Sequence, residues 1–172
     1  MTQYSKRMVL AHWLTLALLV AAWFLGDSLD EARHEGAATI NGYLIHSLVG
    51  GAVLLLTVLR LYFRSKDGIP APIGDGVMDK VAKGVHHLLY STLFVLPVSG
   101  IMTVLNSDVG RAITSGDASL LPKKFTAVFA HEVHEVMVTV LIILVVIHVL
   151  GALKHQFVTK DGLMDRMLPR RK

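Results

Sequence analysis

Nine histidines and no cysteine set the chemistry open to this 172-residue chain. The lack of thiols excludes disulfides, thiolate-held iron–sulfur clusters and covalently attached c-type haem, which needs Cys-x-x-Cys-His. Histidine is the plentiful metal ligand that remains. The run HEVHEVMVTVLIILVVIH, residues 131–148, places three histidines in or beside a stretch otherwise suited to lipid. Ionisable residues in a membrane span are costly, and those found there are usually functional. His134 and His148 are 14 residues apart. At roughly 100° per residue they fall about 40° from alignment, on one helix face, with a rise of about 21 Å between them. His155 lies seven residues beyond His148 and nearly continues that face. His131 sits about 60° off His134, on the flank. The zinc-hydrolase pattern His-Glu-x-x-His needs its second histidine four positions on; here Glu135 stands there, which excludes zinc hydrolysis. Glu132 and Glu135 fall at the membrane edge and no acid falls at mid-depth, which disfavours a proton-relay transporter.

The elements that must position these histidines are membrane helices. The chain is 53% hydrophobic with a mean hydropathy of +0.55, far from a soluble domain. Four apolar stretches recur, at about 8–26, 40–63, 85–105 and 125–153. Each reaches about 20 residues, enough to cross about 30 Å of hydrocarbon as a helix. Backbone satisfaction in lipid requires helices rather than open strands. The first stretch follows Lys6 and Arg7 like a signal peptide, but it is long for one and lacks a clear A-x-A cleavage site, so it reads as a retained span. Pro97 falls inside the third span, where it can kink the helix without ending it. One domain is expected over 1–172, with no internal repeat: an all-α, integral-membrane four-helix bundle.

With the N-terminus inside, 13 Lys and Arg residues, Arg60 among them, fall on the inner side. Only Arg33, Arg111, Lys123 and Lys124 fall outside. The positive-inside rule therefore puts both termini in the cytoplasm. The first outer loop, GDSLDEARHEGAATING, reads as an acidic, mobile connection, and RSKDGIPAPIGDGVMDK is too rich in Pro and Gly to be one helix. The basic residues flank apolar spans and form no patch with interleaved aromatics, so the net charge of +4 is not a nucleic-acid signal.

In an antiparallel bundle, His46 near the outer end of span two comes level with His134. His12 near the inner end of span one comes level with His148, and His86 and His87 of span three enter at that depth. Two tiers of paired imidazoles are what two stacked haems need, each iron taking two axial nitrogens from facing helices. Gly50 and Gly51, one turn after His46, remove bulk where a macrocycle would lie close to the helix.

Several segments together resemble the prokaryotic cytochrome b561 family, and within it the branch that oxidises superoxide and reduces ubiquinone. They are YSKRMVLAHWL, IHSLVGGAVLLLTVLRLYFR, HHLLYSTLFVLPVSG, VHE, IHVLGALKH and KDGLMDRMLPRRK. The resemblance covers nearly the whole chain. It implies two non-covalent haems b in a bacterial inner membrane, with His12 and His148 on the inner iron and His46 and His134 on the outer. It aligns His86 and Tyr90 with a family His-x-x-x-Tyr pattern. His86 could replace His12 as ligand, bond a haem propionate or help bind quinone; a supporting or quinone role is the favoured expectation. His87 is an extra histidine outside the family pattern. His155 matches a family histidine at the quinone site, whereas Thr159 stands where the family carries a tryptophan.

The implied function is electron transfer from a periplasmic donor, superoxide, through both haems to ubiquinone. A small anion would be drawn by positive charge, and Arg111, Lys123 and Lys124 are the outer candidates. By count the outer face is nonetheless acidic. A membrane electron-transfer subunit served by a protein donor would share every ligand.

Overall fold

The computed structural model describes residues 3–72, 74 and 76–168. Arg170, Arg171 and Lys172, counted among the inner charges, lie outside the described residues. The fold is all-α, and its order is α1 (Lys6–Glu35), α2 (Ile40–Asp67), α3 (Val77–Leu105), α4 (Asp108–Ser115) and α5 (Phe129–Lys154). Helices α1, α2 and α3, and α5 with the turn that follows it, are long and apolar enough to cross a bilayer. The short α4 runs along the connection between α3 and α5 and buries Val109 and Ala112.

The helix ends are written in the sequence. Ser5 caps α1 by accepting from the Met8 N–H, and Gly36, at φ 74°, ends it in the left-handed region. Thr39 caps α2 by accepting from the Gly42 N–H. Between α2 and α3 the chain turns at Gly68 and passes Pro70 and Pro72, and Asp79 accepts from the Gly76 N–H at 3.0 Å to start α3. Pro97 lies inside α3 without ending it.

The first span differs from expectation. Helix α1 runs on nine residues past Gly26 to Glu35, so the acidic segment expected as a mobile loop is largely helix. Nothing between Gly26 and Gly36 breaks a helix, and Arg33 pairs with Asp30 one turn earlier on the same face. Span three likewise starts earlier than expected, at Val77. Span four starts later, at Phe129, because Phe125–Val128 form a turn in which Ala127 takes φ 59°.

Helix α1 packs along α2, α3 packs along α5, and α2 joins the two pairs through α3. Helix α5 makes few close backbone approaches to α1 or α2. A cleft therefore runs between the pairs. At the end that the charge distribution marks as inner, the C-terminal segment folds back: Tyr4 N–H donates to the Arg166 carbonyl, Trp13 Nε1 to the Met167 carbonyl, and Arg166 to the Ala71 carbonyl. Both ends of the described chain thus lie on the same end of the bundle.

Candidate haem sites in the bundle cleft

Side chains meet across the cleft in three layers spaced by seven residues, about two helical turns. The outer layer holds Gly26 of α1, His46 of α2, Gly100 of α3 and His134 of α5. Seven residues inward lie Leu19, Val53, Leu93 and Leu141, where Val53, Leu93 and Leu141 belong to the buried apolar core and Leu19 packs on it. Seven further lie His12, Arg60, His86 and His148. Each spanning helix contributes one residue to each layer because seven residues return nearly to the same face.

The ring centroids of His46 and His134 are 6.1 Å apart, and those of His12 and His148 are 6.3 Å apart. Two imidazoles that bind one metal ion through Nε2 from opposite sides, at a bond length of about 2 Å, hold their centroids about 6 Å apart. Both pairs have that spacing. His86 stands 5.2 Å from His148, too close to share an ion in line with it. No group of three or more His, Asp or Glu side chains is placed to hold a metal ion, among the described residues. The arrangement is one of facing imidazole pairs rather than of a three-ligand cluster.

The outer layer is built for close approach. A Cβ on Gly26 would lie 3.0 Å from Cε1 of His46, and one on Gly100 would lie 3.0 Å from Cε1 of His134. Glycine on each neighbouring helix gives each ring its room. His134 Nδ1 lies 2.9 Å from the Leu96 carbonyl, to which it donates, and 3.2 Å from Ser99 Oγ. With its proton on Nδ1, the ring offers the Nε2 lone pair, the orientation a metal ligand needs. Against the two rings lies a cavity of about 560 Å³, lined from all four spanning helices and including Gly50, Leu96 and Leu141. Its size and mostly apolar walls suit a cofactor. The residues present fit a bis-imidazole haem.

Gly50 lines this cavity, and a Cβ there meets nothing within 4 Å. Gly50→Ala should therefore leave haem content unchanged, whereas Gly50→Phe should fill the space and lower the haem-to-protein ratio of the purified protein toward half. Equal haem in both variants would show that the cavity is not the cofactor's seat.

The inner layer is more polar. Arg60 Nη2 donates to His12 Nδ1 at 3.2 Å, and the guanidinium lies over the Tyr90 ring at 5.1 Å. Tyr90 thus joins the layer through Arg60. His87 points elsewhere, donating to the Lys83 carbonyl one turn back. His131 stacks on Phe125 at 4.1 Å, with Nε2 3.3 Å from Glu135, at the mouth of the outer cavity. His155 begins a π-turn, and its Nδ1 donates to Asp161 at 2.6 Å. That bond holds the Asp161 carboxyl below the usual carboxylate range.

The three outer cations read from the sequence do not line the cavity. Arg111 is exposed and paired with Asp108 at 2.8 Å, and Lys123 and Lys124 are exposed. The cation that does line it is Arg33, 9% exposed, bound to Asp30 and to the Lys123 carbonyl and lying over Phe125. The cavity wall also carries Asp27, Glu135 and the buried Tyr43 hydroxyl, which lacks a hydrogen-bond partner. Arg60, Arg33, Gly26 and Gly100 went unread as site residues. The 14-residue interval from His12 to Gly26, His46 to Arg60 and His86 to Gly100 was the available signal.

Comparison with known proteins agrees with this architecture. The family model described as prokaryotic cytochrome b561 matches residues 3–170. The chain is 29% identical to cytochrome b562 of Cereibacter sphaeroides, covering 96% of this chain and 94% of that one. It is 28% identical to cytochrome b561 homolog 1 of Escherichia coli K12 over the full length of both. To the Yersinia pestis protein named "Probable superoxide oxidase CybB" it is 26% identical, over 99% of this chain and 98% of that one. No solved structure matches significantly. A near-full-length family match and four spans that bring histidines together in pairs lead to one conclusion: the chain belongs to the prokaryotic cytochrome b561 family of haem-b-binding membrane electron-transfer proteins.

Proposed function

We propose that the protein carries electrons across the bacterial inner membrane from superoxide on the periplasmic side to ubiquinone on the cytoplasmic side, through two haems b. The observation that carries this reading is the presence of two facing histidine pairs, 6.1 and 6.3 Å apart, at opposite ends of one cleft. His46 and His134 would hold the outer haem, and His12 and His148 the inner one. Haem held between two imidazoles supplies a reversible one-electron carrier. The Leu96 carbonyl fixes the His134 ring, and the apolar layer of Val53, Leu93 and Leu141 keeps water from the space between the two sites. At the inner end, Asp161 accepts from His155 Nδ1 and from the Leu163 N–H at 3.0 Å, so the imidazole is held with Nε2 free to meet a quinone oxygen. The excess of Lys and Arg at that end supports cytoplasmic termini. The superoxide assignment draws on the likeness to the Yersinia protein.

A second reading, with a protein as electron donor, is favoured by the outer mouth. Asp27, Asp30 and Glu135 line it against Arg33 alone among the described Lys and Arg residues. An acidic mouth suits a partner with a basic docking face better than it suits a small anion. The discriminating experiment mixes the haem-loaded protein with superoxide and a soluble ubiquinone. Rapid haem reduction followed by quinone reduction is expected. Haem that stays oxidised with superoxide, but is reduced by a basic c-type cytochrome, would move the assignment to the protein donor.

A further inference from the structure

We propose that Arg60 is the positioning residue that raises the reduction potential of the inner haem above that of the outer haem, so that electrons run inward. This rests on the two-haem reading above. The observation is an asymmetry of charge between two otherwise matched layers. Arg60 occupies the inner-layer position that His46 occupies in the outer layer, 14 residues earlier on α2. Its guanidinium contacts His12 and Tyr90, both uncharged partners, and its Nε is buried without a hydrogen-bond partner. No carboxylate pairs with it, among the described residues. At that end Arg7 is paired with Asp67 and is neutral as a unit. Arg64, one turn beyond Arg60, adds positive charge near His86. A cation inside a span is ordinarily paired, and this one is left with its charge unspent.

The outer layer has the opposite balance. Asp27, Asp30 and Glu135 line the cavity beside His46 and His134, and the single arginine there, Arg33, is bound to Asp30. Reduction removes one positive charge from a haem iron. A nearby cation therefore favours the reduced form and a nearby carboxylate the oxidised form; the effect is stronger for the half-buried Arg60 than for Asp27, Asp30 and Glu135, which are exposed. Transfer of one electron from the outer site to the inner one is thus downhill in free energy, with no atom transferred and no proton required. Arg60 does this through its charge, whatever hydrogen bond it makes.

The test is a redox titration of the haem-loaded protein followed in the visible bands, for the native chain, Arg60→Gln and Arg60→Lys. Each is also measured in a His46→Ala background, so that the inner haem titrates alone. The inner transition should lie above the outer. Arg60→Gln should lower it by a factor of ten or more in the reduced-to-oxidised ratio, about 59 mV for a one-electron couple, and leave the outer transition in place. Arg60→Lys should retain most of the potential. An inner transition unmoved in Arg60→Gln, or lowered equally in Arg60→Lys, overturns the proposal. If Arg60→Gln loses its inner haem, Asp27→Asn decides: the outer transition must rise toward the inner one, and an unmoved outer transition overturns the charge ordering. Haem content in the same samples separates the two readings. Unchanged haem in His46→Ala sinks the ligand pairing, whereas full content with an unmoved inner transition sinks the role of Arg60 alone.

Discussion

His46→Ala and His134→Ala should each cut bound haem from two per chain to one, removing the outer haem and sparing the inner. The two rings face each other at 6.1 Å across a cleft that α5 scarcely closes against α1 and α2. Loss of either ring leaves an iron with one protein ligand, and the cavity beside it offers no third histidine at the same depth: His131, at the mouth, has its Nε2 directed to Glu135. The inner pair lies about 21 Å away along the helix, behind the Val53, Leu93 and Leu141 layer. Alanine is the best helix former, so neither substitution should unwind its helix. Haem-to-protein ratio, low-spin absorption bands and helical circular dichroism of the purified variants check the three parts of this expectation. Undiminished haem would refute the outer pairing. Loss of both haems with helicity intact would show that the two sites load together.

Both variants should also share a defect that a surface mutation would not produce. His46 and His134 fill the clearance left by Gly26 and Gly100, each within 3.0 Å of an ideal Cβ position. Removing one ring opens a void between α1 and α2 or between α3 and α5, and lost contact around such a void lowers stability.

The sequence made the spans visible because hydrocarbon demands unbroken apolar length, and the four stretches correspond to α1, α2, α3 and α5. Their ends were less visible. Gly26 reads as a stop where the apolar run gives way to Asp27, but its role is local clearance for His46, and the helix continues until Gly36 supplies a positive φ. Hydropathy reports where lipid ends, and hydrogen bonding decides where a helix ends. The paired histidines were legible because their 14-residue interval fixes both face and depth on a rigid helix. Arg60 was hidden by its type: an arginine near the inner end of a span reads as an interfacial charge that snorkels to water. Its 14-residue interval from His46 puts it on the same helix face, and its contact with His12 sets it in the inner layer. The outer cations were illegible for another reason. Arg111 lies on α4, and Lys123 and Lys124 on a loop with no periodicity, so nothing in the sequence could tell that Arg111 spends its charge on Asp108 while Arg33 reaches the cavity.

His12→Ala should lose the inner haem, whereas His86→Ala should keep two haems per chain. Both histidines approach His148, and distance divides them. His12, at 6.3 Å, leaves room for an iron in line between the rings, and His86, at 5.2 Å, does not. His86 is also the more exposed of the two, whereas His12 is partly buried. One contact argues the other way. Arg60 donates to His12 Nδ1, and a neutral imidazole that accepts at Nδ1 carries its proton on Nε2. Ligation through Nε2 therefore requires the guanidinium to turn to another acceptor. A buried Nε without a partner shows that its present set of bonds is incomplete, so this turn forfeits one hydrogen bond of a group already under-satisfied. The geometric term is the larger, because an axial bond cannot form at all where the rings are too close. Haem content and the low-spin bands of the two variants decide it. Two haems in His12→Ala with one in His86→Ala would assign the inner ligand to His86 and leave His12 as the partner of Arg60.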